Sequence, residues 1–342
     1  MHIDTQPNAK VLLTTPDYPP KLGGLSTFTL NIEKVLDHLS IAYDRLVWGH
    51  VGELKKMRDD SYSYEWAIHI HFMAGHFLPF RIKNHLNFIH GSEILFTSPN
   101  PFKHLVKKLL RKKMLDYFSC SNMNVFVSEV TRSHLVKQGH QLGYGRDLVL
   151  PNCIDLNVDG PLDYQSDYNS EIIYMVCVAR NVEHKNIKGA FDLCKSAAKI
   201  LTKKIVLYVT APLESFAGVE IIDISGIDYE SLQKIYQKSH FNILLSLDHH
   251  KQGFFEGFGL TVLEAGQYGT PSIVSCHGGL VEAVHHRRSG WVLDKLTRDG
   301  YDHFWSSLSE EQYLQVSVYV GRHTNECHGL NHYVNFLGKL LS

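Results

Sequence analysis

Four short apolar runs, Ile172–Ala179, Ile205–Thr210, Phe241–Leu247 and Pro271–Ser275, constrain the fold of the second half of this chain more tightly than anything else in it. Runs of this length with little polar alternation suit strands buried on both faces, and parallel neighbours must be joined by long crossovers. The helix-periodic stretches Tyr229–Ser239 and Glu256–Tyr268 supply crossovers, and Gly278–Gly279 precede a further helix after the last run. Strand, loop, helix and strand in succession give an open α/β sheet. Ligands of such sheets bind in the crevice beyond the carboxyl ends of the strands.

The stretch Glu256-Gly257-Phe258-Gly259-Leu260-Thr261-Val262-Leu263-Glu264 falls at such an end. Its two carboxylates would lie roughly 12 Å apart on similar faces of one helix; with Glu256 in the preceding loop, both can line one cleft. Gly257 and Gly259 let backbone approach a ligand closely, and the free N–H groups of a helix start favour anionic oxygens. A sugar diphosphate meets all three demands. The plainer reading, an ordinary helix start with capping acids, stays open on these residues alone. Arg180 and Lys185 follow the run Ile172–Ala179 in a loop at a strand end, where a fork of donors and a point charge suit a diphosphate.

At 342 residues the chain is comfortable for two α/β domains with a cleft between them. Its 44% hydrophobic and 20% charged content is that of a globular protein, and no apolar run approaches the ~18 residues of a membrane span. The segment Met1–Pro7 lacks the features of a signal peptide, so a cytoplasmic location is expected. A formal charge of −1 gives no electrostatic case for nucleic acid. The six cysteines form no C-x-x-C pair and read as reduced thiols in or near the core. His69 and His71 alternate onto one strand face, but no third ligand at a recognisable spacing accompanies them, so no metal is expected.

In the first half, Lys10–Thr15 reads as a strand, and Pro19-Pro20-Lys21-Leu22-Gly23-Gly24 as a loop before a helix through Leu39. This loop is not the G-x-G-x-x-G of a dinucleotide fold. Ala67–Phe72 and Leu86–Glu93 read as strands, the second breaking at His90-Gly91, which aims a polar residue into the crevice. Pro101–Met114 sets Phe102, Leu105, Val106, Leu109 and Leu110 at helical spacing among Lys103, Lys107, Lys108, Arg111, Lys112 and Lys113. Either this helix docks on its own domain with a solvated basic face, or its basic face meets anionic lipid. Asn124–Glu129 is a further strand, Leu148–Asp155 closes the first half, and residues 157–170 form the expected linker. Helices are expected over His303–Val318 and His332–Leu341.

The Glu256–Glu264 motif, the Gly269-Thr270-Pro271-Ser272-Ile273 strand and the Gly278-Gly279-Leu280-Val281-Glu282 loop occur in one order and spacing. In this they resemble the retaining glycosyltransferases of family 4. The resemblance spans about residues 10–340 and implies the GT-B fold, two Rossmann-like α/β domains facing each other across a cleft. It implies an acceptor-side domain over 1–160, a nucleotide-sugar domain over 170–325, and a helix over 326–342 packing back on the first domain. Donor binding would fall to Gly23, Gly24, Arg180, Lys185, Glu256, Gly257, Phe258, Gly259, Leu260 and Glu264, with His90, Arg180, Lys185 and Glu256 nearest the chemistry. Ala179 stands where the family's phosphate loop has glycine, and Cys153 where the inter-domain crossing has glycine. The implied activity moves a sugar from a UDP- or GDP-linked donor to a glycan or lipid-linked acceptor, with no cofactor. Several family members work at the inner membrane face. A catalytically inactive GT-B subunit and a sugar-nucleotide epimerase are the alternatives; the four charged residues argue against the first and the E-G-F-G-L motif against the second.

Overall fold

The computed structural model describes residues 2–20, 23–54, 63–78, 81–156 and 168–342. Lys21 and Leu22 of the expected glycine loop, and residues 157–167 of the expected linker, lie outside them. The chain divides into two compact units: residues 1–155, 250–257 and 329–342 form one, and residues 156–249 and 258–328 the other.

The first unit is built from β1 (His2–Asp4), β2 (Val11–Thr15), α1 (Gly24–His38), β3 (Tyr43–Val47), α2 (Val51–Leu54), β4 (Ser63–His69), α3 (Met73–Phe77), β5 (Arg81–Ile89), α4 (Pro101–Cys120), β6 (Met123–Phe126), α5 (Glu129–Lys137) and β7 (Asp147–Val149). Its sheet runs β1-β3-β2-β4-β5-β6-β7, parallel except for β1, which pairs antiparallel with β3. Every residue of β2 is buried, as a strand covered on both faces requires. Ser128 caps α5 by accepting from the Thr131 amide at 3.1 Å, and Asn100 caps α4 from the Lys103 amide at 3.0 Å.

The second unit comprises β8 (Ile172–Cys177), α6 (Ile187–Leu201), β9 (Lys204–Val209), β10 (Val219–Asp223), α7 (Tyr229–Lys238), β11 (Phe241–Leu244), α8 (Leu260–Gly266), β12 (Ser272–Ser275), α9 (Leu280–Ala283), β13 (Gly290–Leu293), α10 (Arg298–Ser307) and α11 (Glu310–Cys327). Its sheet is wholly parallel in the order β10-β9-β8-β11-β12-β13. The apolar runs of the sequence are its central strands. Phe241 meets Trp305 and Tyr313 edge-to-face at ring distances of 5.3 and 5.2 Å in its core. The last helix, α12 (Asn331–Leu341), belongs to the first unit and packs on α1.

Three expectations change. The helix expected from Glu256 starts only at Leu260, because Gly259 sits at φ 94° and stops it. The helix expected over His303–Val318 is two, broken at Leu308 and Ser309, where Ser309 and Gln312 form a capping box that starts α11. Residues 250–257, expected within the second domain, cluster with the first unit. Phe255 holds them there. It is 4% exposed in the core formed by Phe72, Ile89, Phe118 and Phe126, and its carbonyl and amide both bond Ser92 Oγ at 2.9 Å.

Candidate functional site

In the second unit the strand order reverses between β8 and β11, since β9 and β10 lie to one side and β12 and β13 to the other. Two parallel strands that send their crossovers to opposite faces leave a crevice at their carboxyl ends. The loop after β8 carries Arg180 and Lys185, and the segment that leads from β11 into α8 ends in Phe258, Gly259 and Leu260. The β8 loop is tied down at both ends: Thr210 Oγ1 donates to the Ala179 carbonyl at 2.6 Å, and Asn186 Nδ2 to the Leu245 carbonyl at 3.1 Å. Asn186 also caps α6, accepting from the Gly189 amide at 3.1 Å.

Arg180 is exposed, with no ion pair among the described residues, and Lys185 is half-buried. Lys185 lies close enough to Cys177, at the end of β8, to oppose electrostatically the burial that pushes that thiol up to about 12. Gly259 packs against apolar side chains: a Cβ there would come within 2.8 Å of Leu280 and 3.0 Å of Leu244. Phe258 is 2% exposed with its ring beside His328, so only its backbone can face a ligand. Glu264 is buried under α7, and Tyr236 donates its hydroxyl to Glu264 Oε2 at 3.1 Å. Burial pushes the Glu264 carboxyl up to about 7, with the Tyr236 hydrogen bond pulling the other way. Nothing in the residue pattern signals Tyr236, whose position depends on how α7 is rotated against α8.

His90 and Glu256 belong to the first unit. The His90-Gly91 turn presses on Gly257: a Cβ on Gly257 would meet the His90 carbonyl at 1.6 Å, and one on Gly91 would meet the Gly257 Cα at 3.1 Å. Both glycines are therefore demanded by a close approach of two backbones, so Gly257 serves that contact before any ligand. The His90 ring lies edge-on to Phe28 of α1 at 4.6 Å, and Phe28 in turn to Tyr333 of α12 at 5.7 Å. Burial pushes the His90 imidazole down to about 4, against the nearby Glu93 charge and a hydrogen bond to the Ile70 backbone, and Nε2 has no partner among the described residues. With the other ring nitrogen engaged by Ile70, Nε2 is left as a bare acceptor. Glu256 is half-buried. Thus Glu256 clusters with the first unit and Glu264 with the second. Gly23 caps α1 with extended backbone, and among the described residues nothing lies within 4 Å of where its Cβ would be; Gly24 is the first helical residue.

His69 and His71 do not act as a pair. His69 is fully buried between Thr14 Oγ1 at 2.9 Å and His85 Nδ1 at 3.0 Å, while the His71 ring stacks on Phe72. Among the described residues no group of three or more His, Cys, Asp or Glu is placed to hold a metal ion, and no helix is long and apolar enough to cross a membrane. Cys120 and Cys327 are exposed, unlike the buried Cys153, Cys177 and Cys194.

The α4 helix departs most from expectation. Its body-facing side is formed by Met114 and Phe118, and Lys107 turns inward to donate to the carbonyls of Leu95 at 2.8 Å and Thr97 at 3.2 Å. Of the predicted apolar stripe, Leu110 packs on the core beside Met114 and Phe118, whereas Phe102 at 75%, Leu105 at 54% and Leu109 at 72% exposed point away from the body.

Residues 215–301 match the family model described as "Glycosyl transferases group 1". An uncharacterized glycosyltransferase of Methanocaldococcus jannaschii is 31% identical over 121 residues, which cover 32% of this chain and 29% of that protein. The chain thus spans under a third of the curated relatives it matches, and only 5% of sucrose synthase 3 from Arabidopsis thaliana. Among solved structures, sucrose-phosphate synthase from Thermosynechococcus elongatus superposes with a TM-score of 0.72 at 14% identity, covering 98% of each chain. The Anabaena protein HepE, solved with UDP-glucose, gives 0.65 at 12% identity over 97% of this chain and 98% of that one. At these identities the likeness is one of fold, and the fold is GT-B.

Proposed function

We propose, from the match of residues 215–301 to the glycosyl transferases of group 1, that the chain is a metal-independent, retaining transferase of family 4 that moves a sugar from a UDP- or GDP-linked donor to a glycan or lipid-linked acceptor. The observation that carries the reading is the pair of cations, Arg180 and Lys185, in a tied-down loop at the strand-order reversal of the parallel sheet. A nucleoside diphosphate gains negative charge as it leaves, so fixed cations there stabilise the transition state more than the bound donor. The sequence has no D-x-D to hold a metal on the diphosphate, and the two cations take that load. Glu264 accepts from the ribose hydroxyls and Glu256 from hydroxyls of the sugar. His90, too weakly basic to take a proton near neutral pH, positions the sugar by accepting a hydroxyl hydrogen bond at Nε2.

The acceptor is presented at an anionic membrane surface that α4 meets, which fits assembly of surface polysaccharide or glycoconjugate. The donor reading is tested by Lys185→Ala, expected to lose about 2 kcal/mol of transition-state stabilisation, roughly 30-fold in kcat/KM, with the fold unchanged. Wild-type turnover in that variant sinks the assignment. Titration with UDP, GDP and their sugar conjugates selects the base.

A further inference from the structure

We propose that α4 is a membrane-insertion element: Phe102, Leu105 and Leu109 enter the acyl region of an anionic bilayer while a lipid phosphate is held in the groove formed by Lys108, Arg111 and Lys112. The proposal rests on the reading that the acceptor side meets an anionic membrane, and adds which atoms cross the interface and what receives the headgroup.

Residues 102, 105 and 109 are spaced by three and four, so their side chains share one helix face, opposite Met114 and Phe118. Scattered exposed leucines are ordinary on a globular protein, but three large apolar side chains more than half exposed on one face, with Val106 beside them at 38%, are not. Lys108, Lys112 and Lys113 are exposed around them, while Lys107 is withdrawn to the Leu95 and Thr97 carbonyls and takes no part. A concavity of about 450 Å³ runs along this helix against the turn at residues 139–141, lined by Lys108, Leu109, Arg111, Lys112 and Asp116 among others, three cations to one carboxylate. Arg111 is preorganised there. Its Nε and Nη2 donate to the Gln138 carbonyl at 3.1 and 2.7 Å, which fixes the guanidinium while Nη1 has no bond among the described residues.

Charge and apolar character together choose the occupant. A second copy of the same face would set cations against cations. A nucleic acid would satisfy the lysines yet leave Phe102 and Leu109 in water. An anionic bilayer receives both, since phosphates lie at the level where cations end and acyl chains begin.

The full chain is tested by sedimentation with vesicles of phosphatidylglycerol and phosphatidylcholine, against phosphatidylcholine alone. Phe102→Ser with Leu109→Ser should weaken partitioning roughly 30-fold. Lys108→Ala with Lys112→Ala should weaken it roughly 20-fold at low salt, and only where phosphatidylglycerol is present. The indole added by Leu105→Trp should be quenched by lipids brominated on the acyl chain. These positions are exposed, so the melting temperature and UDP affinity should not change. Vesicle binding that survives loss of Phe102 and Leu109, or an added indole that acyl bromines leave unquenched, overturns insertion while the membrane reading stands. Lysine variants that bind phosphatidylglycerol vesicles like wild type overturn the groove. Wild-type protein that ignores anionic vesicles at low salt removes the membrane reading as well, and the donor reading, measured by UDP affinity, is untouched.

Discussion

Glu264 is the residue whose environment makes the sharpest prediction. Its carboxyl titrates near 4.5 in the unfolded chain and about 7 in the folded one, so the native state binds the extra proton between those values. Stability therefore falls as pH rises from about 4.5 to 7 and is flat beyond, with a total on the order of 3 kcal/mol. Glu264→Gln keeps an acceptor for the Tyr236 hydroxyl and removes the charge. Denaturant unfolding should show this variant gaining on wild type between pH 5 and 8; parallel pH dependences would contradict the burial. Ribose hydroxyls that donate to Glu264 favour its ionised form, so UDP affinity should rise with pH through about 7 in wild type and not in the variant. His90 gives the complementary case. Its imidazole is neutral above about 4, so no loss of turnover between pH 5 and 8 should trace to it. His90→Ala should act chiefly on KM for the donor sugar, and a shifted pH profile would restore a general-base role.

At the scale of elements, Gly259→Ala asks an L residue to hold φ 94° against Leu280 and Leu244. A loss of roughly 1–3 kcal/mol in stability is expected, and a neutral effect would mean that α8 can start earlier. Ser309→Ala removes the capping box of α11 and should cost about 1 kcal/mol, read from the same denaturation curves. The strands were legible because continuous apolar runs have one use in a parallel sheet, and the loop position of Arg180 and Lys185 was legible because they follow such a run directly. Helix limits were less so: periodicity carries the expected helix through Glu256 and across Leu308, where a left-handed glycine and a serine cap decide the boundaries. The orientation of α4 was legible only at Leu110, which packs on the core as the stripe implies. Periodicity says that Phe102, Leu105 and Leu109 share a face, and the body is met instead by Met114 and Phe118 one turn and more beyond. Lys107 and Arg111, which read as surface charge, turn to main-chain carbonyls. The edge strands β1 and β10, and β3 beside β1, lack the long apolar signature of central strands and escape a reading by pattern.

For the whole molecule, the proposed donor residues of the second unit set where a nucleotide should be felt. On adding UDP, hydrogen exchange should slow in residues 178–186 and 258–266, and α4 should be unaffected; protection confined to the first unit would relocate the site. The two units also differ in how they were foreshadowed. Both sheets follow from strand and helix alternation, whereas the transfer of residues 250–257 to the first unit depends on Phe255 finding a socket among residues distant in sequence. That socket bears on inheritance. The chain changes unit at 155/156, 249/250, 257/258 and 328/329, so neither unit is one continuous piece of gene. A single recombination at the 155/156 boundary with a relative would bring in a foreign 250–257 segment and a foreign final helix. The first would have to satisfy Ser92 and pass its glycine beneath the His90 carbonyl; the second would have to set a tyrosine against Phe28. New donor or acceptor preferences should therefore have been acquired in this lineage by substitution within units more readily than by exchange of halves, and chimaeras that carry residues 250–257 and 329–342 with their own first unit should fold where single-junction ones fail.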